Sequence, residues 1–323
     1  MPVIRYYYHQ LPSAQQAVYE QVLSGLTSHK DSIKISGGWG FEDIWKVVQD
    51  VLADHPQLFY VSRGSQISQG WLSNTLHPTY LYSKSTASRL QKQIDDKVNA
   101  LYGSIFKAST DLARKESAIY TRLAQHTKYT RPSNENESPH YSIVGSLLDE
   151  LSVCEGYSKA FKYLCDAIGL PCLVVSGIGI DHRGEEPHAW NIVKLNGKCY
   201  HADVTWDSCQ GDMSNLDYFH LSDAEIGRDH TWDRQLVPKC STNSSTVQCV
   251  NSRKEFEQFV LTQVSQRKMT FPVKFNKQFD DGTEIVNMVL AFLESAPNRA
   301  SNNISGVEVR YNKAQCKAVI QLR

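Results

Sequence analysis

Two strand-like runs meet at Asn196-Gly197, and that junction constrains this 323-residue chain more than any other feature. The runs HAWNIVKL (188–195) and KCYHADVTW (198–206) are rich in Val, Ile, Trp, Tyr and Thr, residues that suit a pleated, half-buried surface. Asn-Gly accepts the positive φ angles of a tight two-residue loop, so it is a strong hairpin signal. Such a loop sets the register. Leu195 should face Lys198, Ile192 His201, Trp190 Asp203, and His188 Thr205. Side chains alternate along a strand, so His188, Trp190, Asp203 and Thr205 are expected on one face. His188 and Asp203 would then be diagonal neighbours, roughly 5–8 Å apart at Cβ, within reach of an imidazole–carboxylate hydrogen bond.

A helix is expected over 153–168, with Val153, Tyr157, Phe161, Leu164, Cys165 and Ile168 at helical spacing. Gly169 and Pro171 mark its end. Ser152 and Glu155 stand at the spacing of a capping box, which makes Ser152 the expected N-cap. Cys154 then falls in the first turn, among unpaired backbone N–H groups at the positive end of the helix dipole. That environment stabilises a thiolate. Gly156, just inside the turn, leaves room for a substrate or another backbone.

A thiol at a helix start, plus a base oriented by a third group, is the logic of a nucleophilic triad. Cys154 is the candidate nucleophile, His188 the candidate base and Asp203 the group that orients it. The Cys154 N–H is a natural oxyanion donor, and the sequence identifies no second one. Trp190 is expected to shield the pair. Cys199, His201 and Asp203 alternate near His188 and raise a metal reading. Strand neighbours at i and i+2 lie about 6.6 Å apart, and no CxxC or HxxxH spacing accompanies them. Cys199 and His201 therefore read as sheet packing, and no metal or cofactor is expected.

Lys+Arg and Asp+Glu both number 34, a formal net charge of zero. That balance gives no general attraction to nucleic acid or to an anionic membrane. No apolar run approaches the ~20 residues of a membrane span. The start MPVIRYYYHQLPSAQQ lacks the apolar region of a signal peptide. The expected location is cytoplasmic, with a secreted or surface-exposed chain as the alternative if a leader has been removed. The eight cysteines are irregularly spaced and read mainly as reduced thiols, Cys165 as a small buried hydrophobe. No dense acidic loop suggests calcium.

Three regions are expected: a small α/β module over 1–88, the motif-bearing domain over 89–240 and a second α/β module over 250–323. Helices are read at 13–26 and 41–52, with strands at 32–36, 58–61 and 79–82. Residues 89–130 read as helical, 131–140 as a loop and 241–247 as a linker. The tail gives helices at 253–266 and 281–293 and strands at 269–275, 306–311 and 316–322. Helix–strand–helix–strand–strand thus occurs twice. Two copies of one module, with low sequence identity between them, would flank the central domain. The run Tyr6–Tyr8 reads as strand packing.

VCEGYSKAFKYLC followed by PHAWNIVKLNGKCYHADVTWD resembles the transglutaminase-like superfamily of cysteine enzymes, closest in appearance to its bacterial members. The likeness is strong over 141–207 and looser over YFHLSD and DHTWDRQLVPKC. It differs after Asp207, where a second acid is expected. The resemblance implies an α+β, papain-like transglutaminase core, with the nucleophile helix packed on an antiparallel sheet. It also implies Cys154 as nucleophile, His188 as base and Asp203 as orienter. The implied reaction is acyl transfer from a protein glutamine to a lysine, small amine or water, with protein or peptide partners. The rivals are a cysteine peptidase or amidase with the same triad, and a non-enzymatic binding protein on the same fold.

Overall fold

The computed structural model describes residues 3–70, 73–131, 139–209, 216–242, 247–295 and 304–323. The chain opens with α1 (Tyr6–Gln10) and α2 (Ser13–Thr27), then β1 (Ile33–Ser36), α3 (Phe41–Asp54), β2 (Gln66–Gln69) and β3 (Ser73–His77). The three strands form an antiparallel sheet in the order β1-β3-β2. Ile44, Val47, Val48 and Val51 of α3 are buried, the i, i+3, i+4, i+7 stripe of a helix facing a core.

Three expectations fail in this region. Residues 58–61 and 79–82 are not strands. Pro56–Leu58 forms a 3₁₀ turn, and Val61 makes only an isolated bridge to Tyr80. Leu58, Phe59, Tyr60 and Val61 are all buried, and a short apolar run cannot by itself separate a strand from another buried segment. The strands lie between those two runs, at 66–69 and 73–77. The Tyr6–Tyr8 run is helical because the buried Asp54 carboxylate accepts the Tyr7 and Tyr8 backbone N–H groups at 3.2 and 3.0 Å.

The central region begins with α4 (Lys84–Ala108) and α5 (Leu112–His126), capped by the Ser83 and Asp111 side chains. Next come β4 (Lys128–Tyr129), β5 (Leu151–Ser152), α6 (Cys154–Ala167), β6 (Cys172–Asp181), β7 (Gly184–Leu195) and β8 (Lys198–Ala202). The region closes with α7 (Val204–Ser208), β9 (Phe219–Leu221), α8 (Asp223–Ile226) and β10 (His230–Thr231). Strands β10-β6-β7-β8-β9 form an antiparallel sheet. Helix α6 packs on β6 and β7. The fold is thus α+β, with the Cys154 helix laid on an antiparallel sheet.

The last region holds β11 (Cys249–Val250), α9 (Arg253–Ser265), β12 (Thr270–Phe275), α10 (Thr283–Ser295), β13 (Val307–Asn312) and β14 (Lys317–Leu322). Its sheet order is β11-β12-β14-β13. Leaving α1 and β11 aside, both terminal units run helix–strand–helix–strand–strand, with the third strand between the first two. Part of the expected linker, 243–246, lies outside the described residues.

Candidate active site

Ser152 does not cap α6. It lies in β5, paired with Tyr129, and its hydroxyl sits 2.7 Å from Ser146 Oγ and 3.1 Å from the His140 carbonyl. Val153 is the N-cap, with extended backbone and no side-chain cap. Glu155 instead pairs with Lys159 at 2.6 Å. The buried hydroxyl pair drew Ser152 away from the helix end. Cys154 becomes the first helical residue, still at the positive end of the dipole. Gly156 is needed for close backbone packing, because a Cβ there would collide with the His140 carbonyl and Ser152 Oγ.

The hairpin forms with the expected inner register, Leu195 opposite Lys198 and Ile192 opposite His201. Asn196 and Gly197 take φ of 51° and 79°, as the turn requires. The outer register does not continue. Strand β8 stops at Ala202, and Asp203 becomes the N-cap of α7. Its Oδ1 accepts the N–H groups of Thr205 and Trp206 at 2.9 and 3.1 Å. Trp190 therefore does not face Asp203, nor His188 Thr205. On β6, His188 pairs with Gly177. Asp203 still reaches His188 from its cap position, with Oδ2 2.7 Å from Nε2.

Asp203 is fully buried and His188 nearly so. Burial alone would push the His188 pKa down. The Asp203 charge and hydrogen bond outweigh it, helped by a contact with Cys154, and hold the imidazole at about 10. Burial would raise Asp203, but the two histidines beside it hold it well below the usual carboxylate range. With Nε2 engaged by Asp203, Nδ1 is the nitrogen left to face the Cys154 thiol.

Indole rings surround the pair. His188 stacks on Trp190 with centroids 6.0 Å apart and lies 5.4 Å from Trp206. Both rings depend on glycines of β6. A Cβ at Gly177 would meet the Trp190 ring at 2.8 Å, and one at Gly179 the Trp206 ring at 2.9 Å.

The sequence did not single out His230. Its Nε2 lies 3.2 Å from Asp203 Oδ2 and its Nδ1 2.7 Å from Asp229 Oδ1. The residue appears in DHTW, but no local spacing links it to Asp203, 27 positions earlier. Tyr129 was also missed. It lines the cleft beside His188, and burial with the nearby Cys154 charge lifts its phenol to about 12.

Among the described residues, two sets of three ligand atoms lie within 4.8 Å of one another: His188, Asp203 and His230, and His201, Asp223 and Cys240. In the second set, Trp190 Nε1 donates to His201 Nδ1 at 2.9 Å. His201 Nε2 must then carry the ring hydrogen and donate to Asp223 Oδ1, also at 2.9 Å. That tautomer leaves no Nε2 lone pair for an ion. His201 therefore serves the sheet.

A cleft of about 640 Å³ opens beside His188. Tyr129, Trp206 and Cys209 line it from the central region, and Tyr311 and Lys313 from the β13–β14 hairpin. The last unit of the chain therefore supplies a wall of the cleft, which no local pattern foretold.

Residues 99–204 match the family model of the transglutaminase-like superfamily, a span that contains Cys154, His188 and Asp203. The chain is 29% identical to the kyphoscoliosis peptidase of Mus musculus over 151 residues, covering 44% of this chain and 23% of that protein. The Homo sapiens kyphoscoliosis peptidase is 31% identical over 111 residues, covering 32% of this chain and 17% of that protein. This chain thus spans less than a quarter of the length of either relative. Among solved structures, a TGase overlaps with a TM-score of 0.31 at 17% identity, covering 45% of this chain and 44% of that one. A putative cysteine protease from Cytophaga hutchinsonii gives 0.30 at 12% identity, covering 44% of this chain and 61% of the other.

Proposed function

Since the chain carries a transglutaminase-like domain, we propose that it is a cysteine enzyme that transfers the acyl group of a protein glutamine through a Cys154 thioester. One observation carries the reading: His188 sits between Cys154 and Asp203, 2.7 Å from the carboxylate, on the wall of a substrate-sized cleft.

The Cys154 thiolate attacks the carboxamide carbon, and the C=O electrons move onto oxygen. The Cys154 N–H, unpaired within the helix, faces that oxyanion. The intermediate collapses as the C–N bond breaks. His188 gives its proton to the departing nitrogen, ammonia leaves and the thioester remains. A lysine or small amine then attacks the thioester and loses a proton to His188, and the thiolate is released. With water as acceptor the net reaction is deamidation. Asp203 holds the imidazole and balances its charge at each stage. Trp190 and Trp206 exclude water around it, which strengthens the ion pair.

A second reading, hydrolysis of a peptide bond, uses the same steps with a peptide nitrogen leaving and water as acceptor. The names of the curated relatives favour it. The test follows ammonia release and dansyl-amine incorporation on a glutamine-rich protein, with wild type beside Cys154→Ala. Ammonia with Cys154-dependent labelling supports transamidation, and ammonia alone supports deamidation. Chain cleavage that Cys154→Ala abolishes would move the assignment to a peptidase. No product of any kind, with a slowly alkylated Cys154, would sink the enzymatic reading and leave a binding protein.

A further inference from the structure

Both ring nitrogens of His230 face carboxylate oxygens, Nδ1 at 2.7 Å from Asp229 and Nε2 at 3.2 Å from Asp203. A neutral imidazole has one N–H and would set a lone pair against one of these oxygens. A protonated ring donates to both. The side chain is fully buried, so the charge is neutralised where it sits. Trp206 packs over the ring at 4.2 Å and Trp190 at 4.9 Å, edge to face. Asp229 is itself held. The Tyr218 hydroxyl donates to it at 2.7 Å, and Gln315 Nε2, from the turn before β14, lies 3.2 Å from Oδ2.

We infer that His230 is a fixed imidazolium that grips the same Asp203 oxygen as His188, and is thereby a positioning residue for the His188 base. The chain Asp229–His230–Asp203–His188–Cys154 alternates in charge, and Gln315 ties its far end to the C-terminal unit. His230 touches neither substrate nor thiol. It acts in two ways. It locks the Oδ2 oxygen that His188 uses, while the α7 cap locks Oδ1. It also opposes the full negative charge of Asp203, so that the His188 imidazolium can release its proton to the leaving group. The titratable groups that face His230 are Asp203, His188, Asp229 and Tyr218, with His201 further off.

The inference rests on His188 being the base, and its test has an arm that does not. In the full chain with ¹⁵N-labelled histidine, the His230 ring should show two protonated nitrogens at neutral pH, where an ordinary histidine is mostly neutral. A neutral tautomer at pH 7 overturns the proposal. The second arm follows alkylation of Cys154 by iodoacetate, an anion that reads the thiolate–imidazolium pair, against pH. Replacing His230 by Gln removes a positive charge whose ring centre lies 5.3 Å from that of His188. The alkaline limb of the profile should therefore move up by about one pH unit, and turnover should fall without a matching rise in KM. Asp229→Asn withdraws one counter-charge from the imidazolium, so the His230 ring should lose its second proton at lower pH than in wild type. That variant also serves if His230→Gln fails to fold. A limb that stays put or moves down in folded His230→Gln, or a His230 ring whose titration does not move in Asp229→Asn, overturns the proposal. If wild-type Cys154 alkylates no faster than an ordinary thiol, the catalytic reading fails, and the ring signals alone decide whether the charged clamp exists.

Discussion

The two terminal units share an element order and a strand order but are joined to the central domain by opposite means. The N-terminal unit gives up its boundary. Val22, Ile44 and Val51 belong to one apolar core that runs on through Ile94, Tyr120, Tyr157 and Phe161. The C-terminal unit keeps its own core, built from Phe256, Val260, Phe271, Val273, Ile285 and Ile320. It meets the central domain through buried polar contacts. Lys317 Nζ lies 2.8 Å from the Asp217 carbonyl, Gln315 reaches Asp229, and Lys274 pairs with Glu225. Apolar fusion adds stability without direction, because hydrophobic burial is non-directional. Polar docking is directional, and here it ends on the groups that hold Asp203. One layout can thus serve as ballast at one end and as part of the site at the other.

The comparison is broken most directly in the two cores. Phe256→Ala should cost about 3–5 kcal/mol and unfold the C-terminal unit in a separate, earlier transition, with α6 amides still protected from hydrogen exchange. Ile44→Ala should cost about 2–5 kcal/mol and lower the protection of α6 as well, since both belong to one core. A single shared transition for Phe256→Ala would show that the two ends are coupled alike.

The docking surface comes next. Lys317→Ala leaves the Leu216 and Asp217 carbonyls without their ammonium donor, a loss of about 1–3 kcal/mol. Exchange should rise in β13 and β14 while α2 and α3 stay unchanged. An equal rise in α3 would refute separate docking.

Changes of pH probe the same contacts without a substitution. Burial would raise the Glu225 carboxyl, but Lys274 and the Ser222 bonds hold it at about 2. A depressed acid contributes stability above its unfolded pKa of about 4.3, and that is lost as pH falls toward 2. The C-terminal unit should therefore loosen first in acid, and Glu225→Gln should flatten that limb. His188 is shifted the other way, to about 10. Its contribution is complete below the unfolded value of about 6.5 and is lost as pH rises through the folded one. Protection of β7 amides, the slowing of exchange relative to an unstructured chain at the same pH, should fall between neutral pH and pH 10, and His188→Gln should remove that fall.

Much of this was legible in the sequence, for a physical reason. Periodicity, turn chemistry and helix ends act within a few residues, so the Asn196-Gly197 hairpin, the Cys154 helix and the five-element tail could be read directly. His188 and Asp203 were paired correctly by way of a partly wrong register. The hairpin brought Asp203 close, but the strand ended at Ala202, just before it, because two backbone N–H groups of the next turn captured its Oδ1. Ser152 was misread because a cap competes with any other buried hydroxyl, and Ser146 lies six positions away behind an irregular turn. What only the tertiary structure decided depends on atoms brought from afar. Tyr129 and the β13–β14 hairpin meet across the cleft, and Gln315 reaches Asp229 across 86 positions. The histidine in DHTW has one carboxylate beside it in sequence, Asp229, but the second, Asp203, lies 27 positions away. It becomes a buried cation only when the fold places carboxylates on both sides of its ring.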